Sequence, residues 1–324
     1  MTERLVLTLD GSTRVCGAAL LRPRPCEECR TAEADHWETV ARRSETDGHG
    51  QSRVLLQMLD DMLRELGREP RDLGAIVVGT GPGTFTGVRI TVATGRALSL
   101  ALKIPVLGVS TLAAVAAGAA AASREAGSQP PDVIVPTVDA RRSQVFLGIY
   151  EAVGRNAAGD QPDEGVRCEY SRTAPYLVCG RDTLRATLAD SGVGSERRVL
   201  IVAEHRDLIG ADLKGLEFSR TAVEPERLLM GQELLREPAG AGPQGRELNP
   251  WLLSSLETGS TAERAGAVAE GEAMRSTAGP VAVAGAPEAV IPIYVRPPDA
   301  DIHITKMKDP WAEIVGGRGR SGRE

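Results

Sequence analysis

The chain has 324 residues, a formal charge of −6 at neutral pH, 42% hydrophobic residues and only 3% aromatic ones. That length allows two domains of ordinary size, with cores built from Leu, Val, Ile and Ala. The acidic balance argues against nucleic-acid binding by this chain alone, and no stretch approaches the roughly 20 apolar residues of a membrane span.

Leu5 to Leu9 and Val15 to Leu21 read as two strands joined by the polar turn Asp10-Gly11-Ser12-Thr13-Arg14. The strand pattern begins within four residues, which leaves no room for a signal peptide, so a cytoplasmic location is expected. A loop from Arg22 to His36 follows, then a third strand from Glu38 to Ser44. In that loop Cys26 and Cys29 have C-x-x-C spacing, but no second pair completes a zinc site; they read as incidental thiols of an exposed loop. From Ser52 to Leu66 the apolar spacing predicts a helix with a stripe two rows wide, at Val54, Leu55, Met58, Leu59, Met62, Leu63 and Leu66. One row suffices to pack on a sheet, so the second is available to a partner.

The apolar run Ala75 to Val78 leads into Gly79-Thr80-Gly81-Pro82-Gly83-Thr84-Phe85-Thr86-Gly87, and a helix from Val88 to Lys103 leads out. A glycine-rich loop between a strand and a helix admits two readings. Its N–H groups and the helix dipole suit an anion; alternatively the glycines let the helix lie close against the sheet. Neither the Walker pattern nor G-x-G-x-x-G is matched, and no lysine stands in the loop. The helix is apolar or small nearly all round, which predicts burial on all sides by its own fold or by another chain. A strand Val106 to Val109 and an Ala-rich helix from near Ser110 complete the unit.

A second unit opens as the first does. Asp132 to Val138 ends at Asp139, and after Ala140-Arg141-Arg142-Ser143 a strand runs from Gln144 to Tyr150. Repetition of a strand pair whose first member ends in aspartate suggests two related α/β lobes. A helix from Arg181 to Asp190, a strand Val199 to Ala203 and a helix from Pro225 to Arg236 follow. Pro238 to Pro287 is rich in Gly, Ala, Ser, Thr and Glu and is expected to be largely disordered. Order is expected to return around Val290 to Val295, and the tail from Lys308 to fray. The expected layout is therefore 1–112 for the first lobe, 113–237 for the second, 238–287 for a low-complexity insert, 288–307 for a short ordered segment and 308–324 for a flexible tail.

Asp10 and Asp139 sit where a cleft between two lobes places metal-coordinating carboxylates, but aspartate at a strand end is also a common turn former. For Asp139 the turn-forming role is favoured, with its neighbours Arg141 and Arg142 placed to pair with it. His36, His49, His205 and His303 have no spacing that sets two imidazoles on one helix face, and no G-x-S-x-G elbow is present. No catalytic residue and no metal site is expected.

Several stretches together resemble the TsaB (YeaZ) family, a subunit type of the machinery that makes threonylcarbamoyladenosine in tRNA. They are LTLDGSTRVCGAALL, HGQSRVLLQMLDDML, GTGPGTFTGVRITVATGRALSLALKIPVLGVSTLAAVA, VDARRSQVFLGIY and the late PIYVRP. The resemblance implies a two-lobed actin/Hsp70/sugar-kinase-like fold with ribonuclease H-like lobes and a degenerate nucleotide cleft. It implies a non-catalytic scaffold that activates a TsaD-type catalytic subunit, joined by a TsaE-type ATPase, with tRNA reached only through the complex. Separately, the apolar helix pair suits a homodimer in isolation, and the sequence does not decide between homodimer and heterodimer. The pairing surface is expected on the two N-terminal helices, at Val54, Met58, Met62, Val88, Val92, Ala93, Gly95, Ala97 and Leu100. Asp10, Gly81 and Gly83 are the vestigial nucleotide positions, with any ATP, ADP or Mg supplied mainly by partners. The metal-binding H-x-x-x-H pair of the TsaD type is missing. The first strand ends D-G-S-T where nucleotide-binding relatives favour D-x-G-x-T, which opposes independent ATP binding. The competing readings are an ATP-dependent enzyme of the same fold using Asp10 and Asp139, and a glycoprotease-like hydrolase.

Overall fold

A computed structural model describes residues 4–23, 37–46, 51–153, 170–209, 216–221, 223–228, 235–236, 282–285, 290, 292–293 and 295. In the first lobe β1 (Leu5–Asp10), β2 (Cys16–Pro23) and β3 (Trp37–Glu45) form an antiparallel meander, followed by α1 (Gln51–Glu65). Next come β4 (Leu73–Gly79), α2 (Phe85–Leu102), β5 (Val106–Val109) and α3 (Thr111–Glu125). β4 runs parallel to both β1 and β5, so the strands lie in the order β5-β4-β1-β2-β3.

The central strands are apolar at nearly every position because both faces are covered. Leu5, Leu7 and Leu9 of β1, with Ile76 and Val78 of β4, face α1 and α2. Val6, Ala75 and Val77 point the other way, into a core shared with α3 and with the second lobe.

That second lobe repeats the pattern. β6 (Val133–Arg141) turns back into β7 (Gln144–Leu147) and β8 (Tyr150–Ala152), which are two halves of one strand broken at Gly148-Ile149. β9 (Tyr170–Arg172) and β10 (Leu177–Gly180) form the next broken strand, followed by α4 (Leu184–Asp190), β11 (Val199–Ala203) and β12 (Glu217–Arg220). β11 is parallel to β6 and to β12, giving the order β10-β7-β6-β11-β12, topologically the same as lobe one. The two-lobed α/β fold expected from the paired aspartate-ended strands is present. The boundary drawn at 112/113 falls in the first turn of α3.

Several elements differ from expectation. The helix buried on all sides is α3: Leu112 through Ala119 are all buried between the two sheets, where alanine lets the lobes approach closely. α2 is buried on one side only. The second apolar row of α1 is also consumed internally, because Met58 and Met62 sit in the core that α1 makes with α2 and the sheet. A helix end expected at Leu235-Arg236 is instead a strand, β13 (Leu235–Arg236), which pairs in parallel with β9. Within the segment expected to be disordered, β14 (Ala282–Gly285) adds antiparallel to the edge of β5. The Cys26/Cys29 loop, the remainder of the 238–287 insert and the tail lie outside the described residues.

Candidate functional site: the turn, the glycine loop and the interlobe cleft

Asp10 ends β1 with its side chain buried. One carboxylate oxygen accepts the Ser12 amide at 2.8 Å and the Ser12 hydroxyl at 2.7 Å; the other accepts the Thr111 hydroxyl at 2.9 Å, from the first turn of α3. Burial raises its pKa above the ordinary 3.8, against the lowering effect of those bonds. Its neighbour Cys16 is buried too, and burial, with the charge of Asp10 second, pushes the thiol up to about 12, so it is no nucleophile at neutral pH.

The glycine loop is folded onto this turn. The Thr84 amide donates to the Ser12 carbonyl at 2.6 Å, and the Thr80 amide to the Val109 carbonyl at 2.8 Å. The Gly81 carbonyl accepts the Thr111 amide at 2.8 Å and the Ser110 hydroxyl at 3.1 Å. A Cβ at Gly79 would run into the Asp10 carboxylate, and one at Gly83 into the Ser12 carbonyl oxygen. These glycines permit close packing of loop on turn. The packing reading of the loop is present in its contacts with the turn.

A cavity of about 250 Å³ does lie between the lobes, lined by Thr13, Arg14, Thr84, Asp139, Arg141, Arg181, Glu204, His205, Asp207 and Leu208. The three expected nucleotide positions, Asp10, Gly81 and Gly83, are not among its lining residues: Asp10 and Gly81 are buried, and Gly83 packs against the Ser12 carbonyl. Asp139 does line it. Its carboxylate accepts the Arg141 amide at 2.9 Å and pairs with the Arg141 and Arg181 guanidiniums at 3.6 and 3.5 Å. The ion pair expected from Arg141 is formed, and Arg181 was not anticipated. The Nε of Arg181 is buried without a partner in the described residues. Residues Arg141, Arg142 and Ser143 all have positive φ, at 63°, 54° and 58°, in the tight turn between β6 and β7.

The donor set does not fit a nucleoside triphosphate. Three carboxylates share the cavity with three guanidiniums, and the aspartate best placed to order a metal already accepts three hydrogen bonds from hydroxyl and amide donors. Among the described residues, no three His, Cys, Asp or Glu side chains converge to hold a metal ion. Arg181, Glu204 and Asp207 were missed by sequence reasoning and carried no local signal, whereas Arg14 lay in the first turn, Thr84 in the glycine loop, and His205 was weighed only as a metal ligand.

The positions expected to form a pairing surface divide in two. Met58, Met62, Val88, Val92 and Gly95 are buried in lobe one's own core, and Val54 packs against it. A Cβ at Gly95 would meet Val78, so that glycine holds α2 close to β4. Ala93, Ala97 and Leu100 are exposed, Leu100 by 66%. They recur every three or four residues and therefore share the outer face of α2. Leu56 on α1 is the other large apolar side chain of these two helices left in the open, 48% exposed.

Comparison with known proteins places these features in context. Residues 48–172 match a family model described as TsaD, tRNA N6-adenosine threonylcarbamoyltransferase. The tRNA threonylcarbamoyladenosine biosynthesis protein TsaB of Bacillus subtilis is 30% identical over 209 residues, which span 62% of this chain and 81% of that protein. The TsaB of Escherichia coli is 33% identical over 146 residues, 45% of this chain and 54% of that protein. Among solved structures, an uncharacterized protein described as similar to peptidase YeaZ from Pseudomonas aeruginosa aligns with 90% of this chain and 100% of its own. The TM-score is 0.50 at 22% identity, a likeness of fold.

Proposed function

The chain belongs to the TsaB family of tRNA threonylcarbamoyladenosine biosynthesis proteins, and from that footing we propose that it is the non-catalytic scaffold that pairs with a TsaD-type subunit and activates it. The observation that carries this reading is the outer face of α2. Ala93, Ala97 and Leu100 form a shallow apolar stripe on a rigid helix, and burying Leu100 alone is worth about 1.5–3 kcal/mol. α2 carries no acidic residue, and Arg89 and Arg96 flank the stripe, so a partner helix with apolar knobs and carboxylates at its rim fits it best.

Two features support an idle cleft. Asp10 is buried and accepts three hydrogen bonds within its own chain, and the H-x-x-x-H pair that the resemblance assigns to the catalytic type is absent from the sequence. The enzyme reading requires Asp10 to reach a metal, and its burial opposes that. The pairing surface is smaller than the sequence suggested: it comprises the exposed α2 positions with Leu56, not the methionines of α1.

The test is co-purification with a TsaD-type chain, followed by a tRNA threonylcarbamoylation assay with and without this protein. Ala97→Arg places a charge on an exposed position of the free chain but inside the proposed contact, where an unpaired buried charge costs ~3–5 kcal/mol. Pairing and activation should both fall by a hundredfold or more, while Asp10→Asn leaves them intact. An Ala97→Arg protein that pairs and activates like the wild type would overturn the assignment.

A further inference from the structure

The C-terminal part of the chain returns to the first lobe at a place the scaffold reading leaves unexplained. β14 pairs with β5 in register, Ala282 opposite Val109 through Gly285 opposite Val106. A few residues later Val290 is fully buried in the core beneath α1 and α2. It sits against Gly108, where a Cβ would come within 2.9 Å of Val290 and 2.8 Å of Thr80. Ile293 then donates its amide to the Thr80 carbonyl at 2.7 Å, and its side chain and that of Val295 pack on the interlobe core. Thr80 belongs to the glycine loop, so a segment more than 200 residues distant in sequence supplies one of the loop's hydrogen bonds.

From Thr80 the contacts lead to α2. The Thr80 amide is held by Val109, and the next residue, Gly81, approaches Val88 of α2, where a Cβ would lie 3.1 Å from the Val88 side chain. Thr84, the residue preceding α2, is bonded to Ser12, and its carbonyl accepts the Val88 amide at 3.0 Å to open the helix. The first turn of the helix that carries Ala93, Ala97 and Leu100 is thus set by a loop gripped on one side by the β1–β2 turn and on the other by Ile293.

We propose that Val290 and Ile293 are positioning residues for partner binding, and that the returning C-terminal segment is a strap that holds the glycine loop and, through it, the pairing face of α2. This rests on the pairing function proposed above. The described strap residues Val290 and Ile293 act on the core and on Thr80 rather than on the stripe itself, so the effect on binding is indirect. It belongs to the same chain and forms with the fold, so the partner meets a face already ordered, and binding does not have to supply the ordering entropy.

The test uses the full chain with three substitutions. Ile293→Pro removes the amide donated to Thr80; Ile293→Ala keeps that amide and trims only the side chain; Val290→Ala thins the buried anchor. Hydrogen exchange of the isolated protein reads the loop directly, at the amides of Thr80, Thr84 and Thr111, and titration with a TsaD-type chain reads pairing. Ile293→Pro should exchange about tenfold faster at these three amides, the equivalent of one net hydrogen bond. It should bind the partner about five- to tenfold more weakly, with Ile293→Ala and Val290→Ala intermediate. Far-ultraviolet circular dichroism and exchange in β6 and β11 should stay at wild-type values, which separates loosening of the loop from loss of fold. Faster loop exchange with undiminished pairing would overturn the proposal and leave the α2 face standing. Unchanged loop exchange in Ile293→Pro would overturn it at its first step. Wild-type protein that does not pair at all would instead remove the function on which the proposal rests.

Discussion

The two lobes present the same motif to the cleft, a strand that ends in aspartate and turns back, yet they treat the carboxylate in opposite ways. In lobe one Asp10 is buried, receives three hydrogen bonds from Ser12 and Thr111, and lies under the glycine loop. In lobe two Asp139 keeps about a quarter of its side-chain surface in solvent and is held by arginines. Lobe one's turn is sealed by glycines that allow backbone to meet backbone. Lobe two's turn has no glycine and places three non-glycine residues in the left-handed region. The two lobes share a topology, while the local side chains decide whether a turn is a structural plug or an open, charged wall.

The strongest way to break the comparison is to put a side chain where lobe one allows none. Gly83→Ala drives a methyl group into the Ser12 carbonyl, a backbone atom that cannot swing aside, and should cost about 3 kcal/mol in urea unfolding. Asp10→Ala comes next. It leaves the Ser12 amide, the Ser12 hydroxyl and the Thr111 hydroxyl without their acceptor in a buried site, for a loss of about 2–3 kcal/mol. A change below ~1 kcal/mol would mean that the plug is not held by its carboxylate.

A milder change sharpens the contrast through pH. The folded chain keeps the Asp10 proton to a higher pH than the unfolded chain does, because burial raises its pKa above 3.8. Unfolding therefore releases a proton in that window, and this group's contribution to stability falls as pH rises from near 3.8 through the raised folded value, then levels off. Asp10→Asn removes the titration while keeping an acceptor for Ser12, so the difference in stability between wild type and variant should slope across that window and be flat above it. A difference that stays constant from pH 4 to pH 8 would contradict the raised value.

How much of this was legible in the sequence depended on range. Buried parallel strands such as β4 and β11 announce themselves as unbroken apolar runs, and α1, α2 and α3 by periodicity, so the core of both lobes could be read directly. β9, β10 and β12 could not. Tyr170-Ser171-Arg172 and Glu217-Phe218-Ser219-Arg220 are short and half polar, and become strands only because a neighbour offers a free edge. The wide stripe of α1 was visible, but its use was not: a second apolar row looks the same in sequence whether it meets α2 or another protein. The cleft wall was the least legible part. Arg14 comes from the β1–β2 turn of lobe one, Arg181 from just after β10, and Glu204 and Asp207 from the segment after β11. They meet only through the packing of the two lobes and the pairing of β10 with β7, β7 with β6 and β6 with β11. β14 was hidden for a related reason, and so was the partner of Ile293, though the order around Val290 to Val295 was expected: Val106 to Val109 and Thr80 lie far back in the chain.

The smallest effects belong to lobe two, and there the sign carries the information. Asp139→Ala breaks two partly exposed ion pairs of 3.5 and 3.6 Å and one bond to the Arg141 amide, a loss of about 0.5–1 kcal/mol. Ser143→Gly should do the reverse. Ser143 is exposed at φ 58°, and what the fold asks of it is its backbone carbonyl, which accepts the Arg181 amide at 3.0 Å; glycine supplies that equally well. An L-residue in the left-handed region costs about 1–2 kcal/mol, whereas the extra chain entropy of glycine in the unfolded state returns only about 0.4–1 kcal/mol of that gain. A net stabilisation near 0.5 kcal/mol follows, readable as a shift in urea midpoint without a change in slope. The opposite substitution in lobe one, Gly81→Ser at φ 86°, should destabilise, since it adds the same strain beside Val88 in a packed loop. If both substitutions destabilise, the Arg141–Ser143 turn is held in its left-handed form by side-chain contacts, and lobe two's turn is as closely specified as the plug in lobe one.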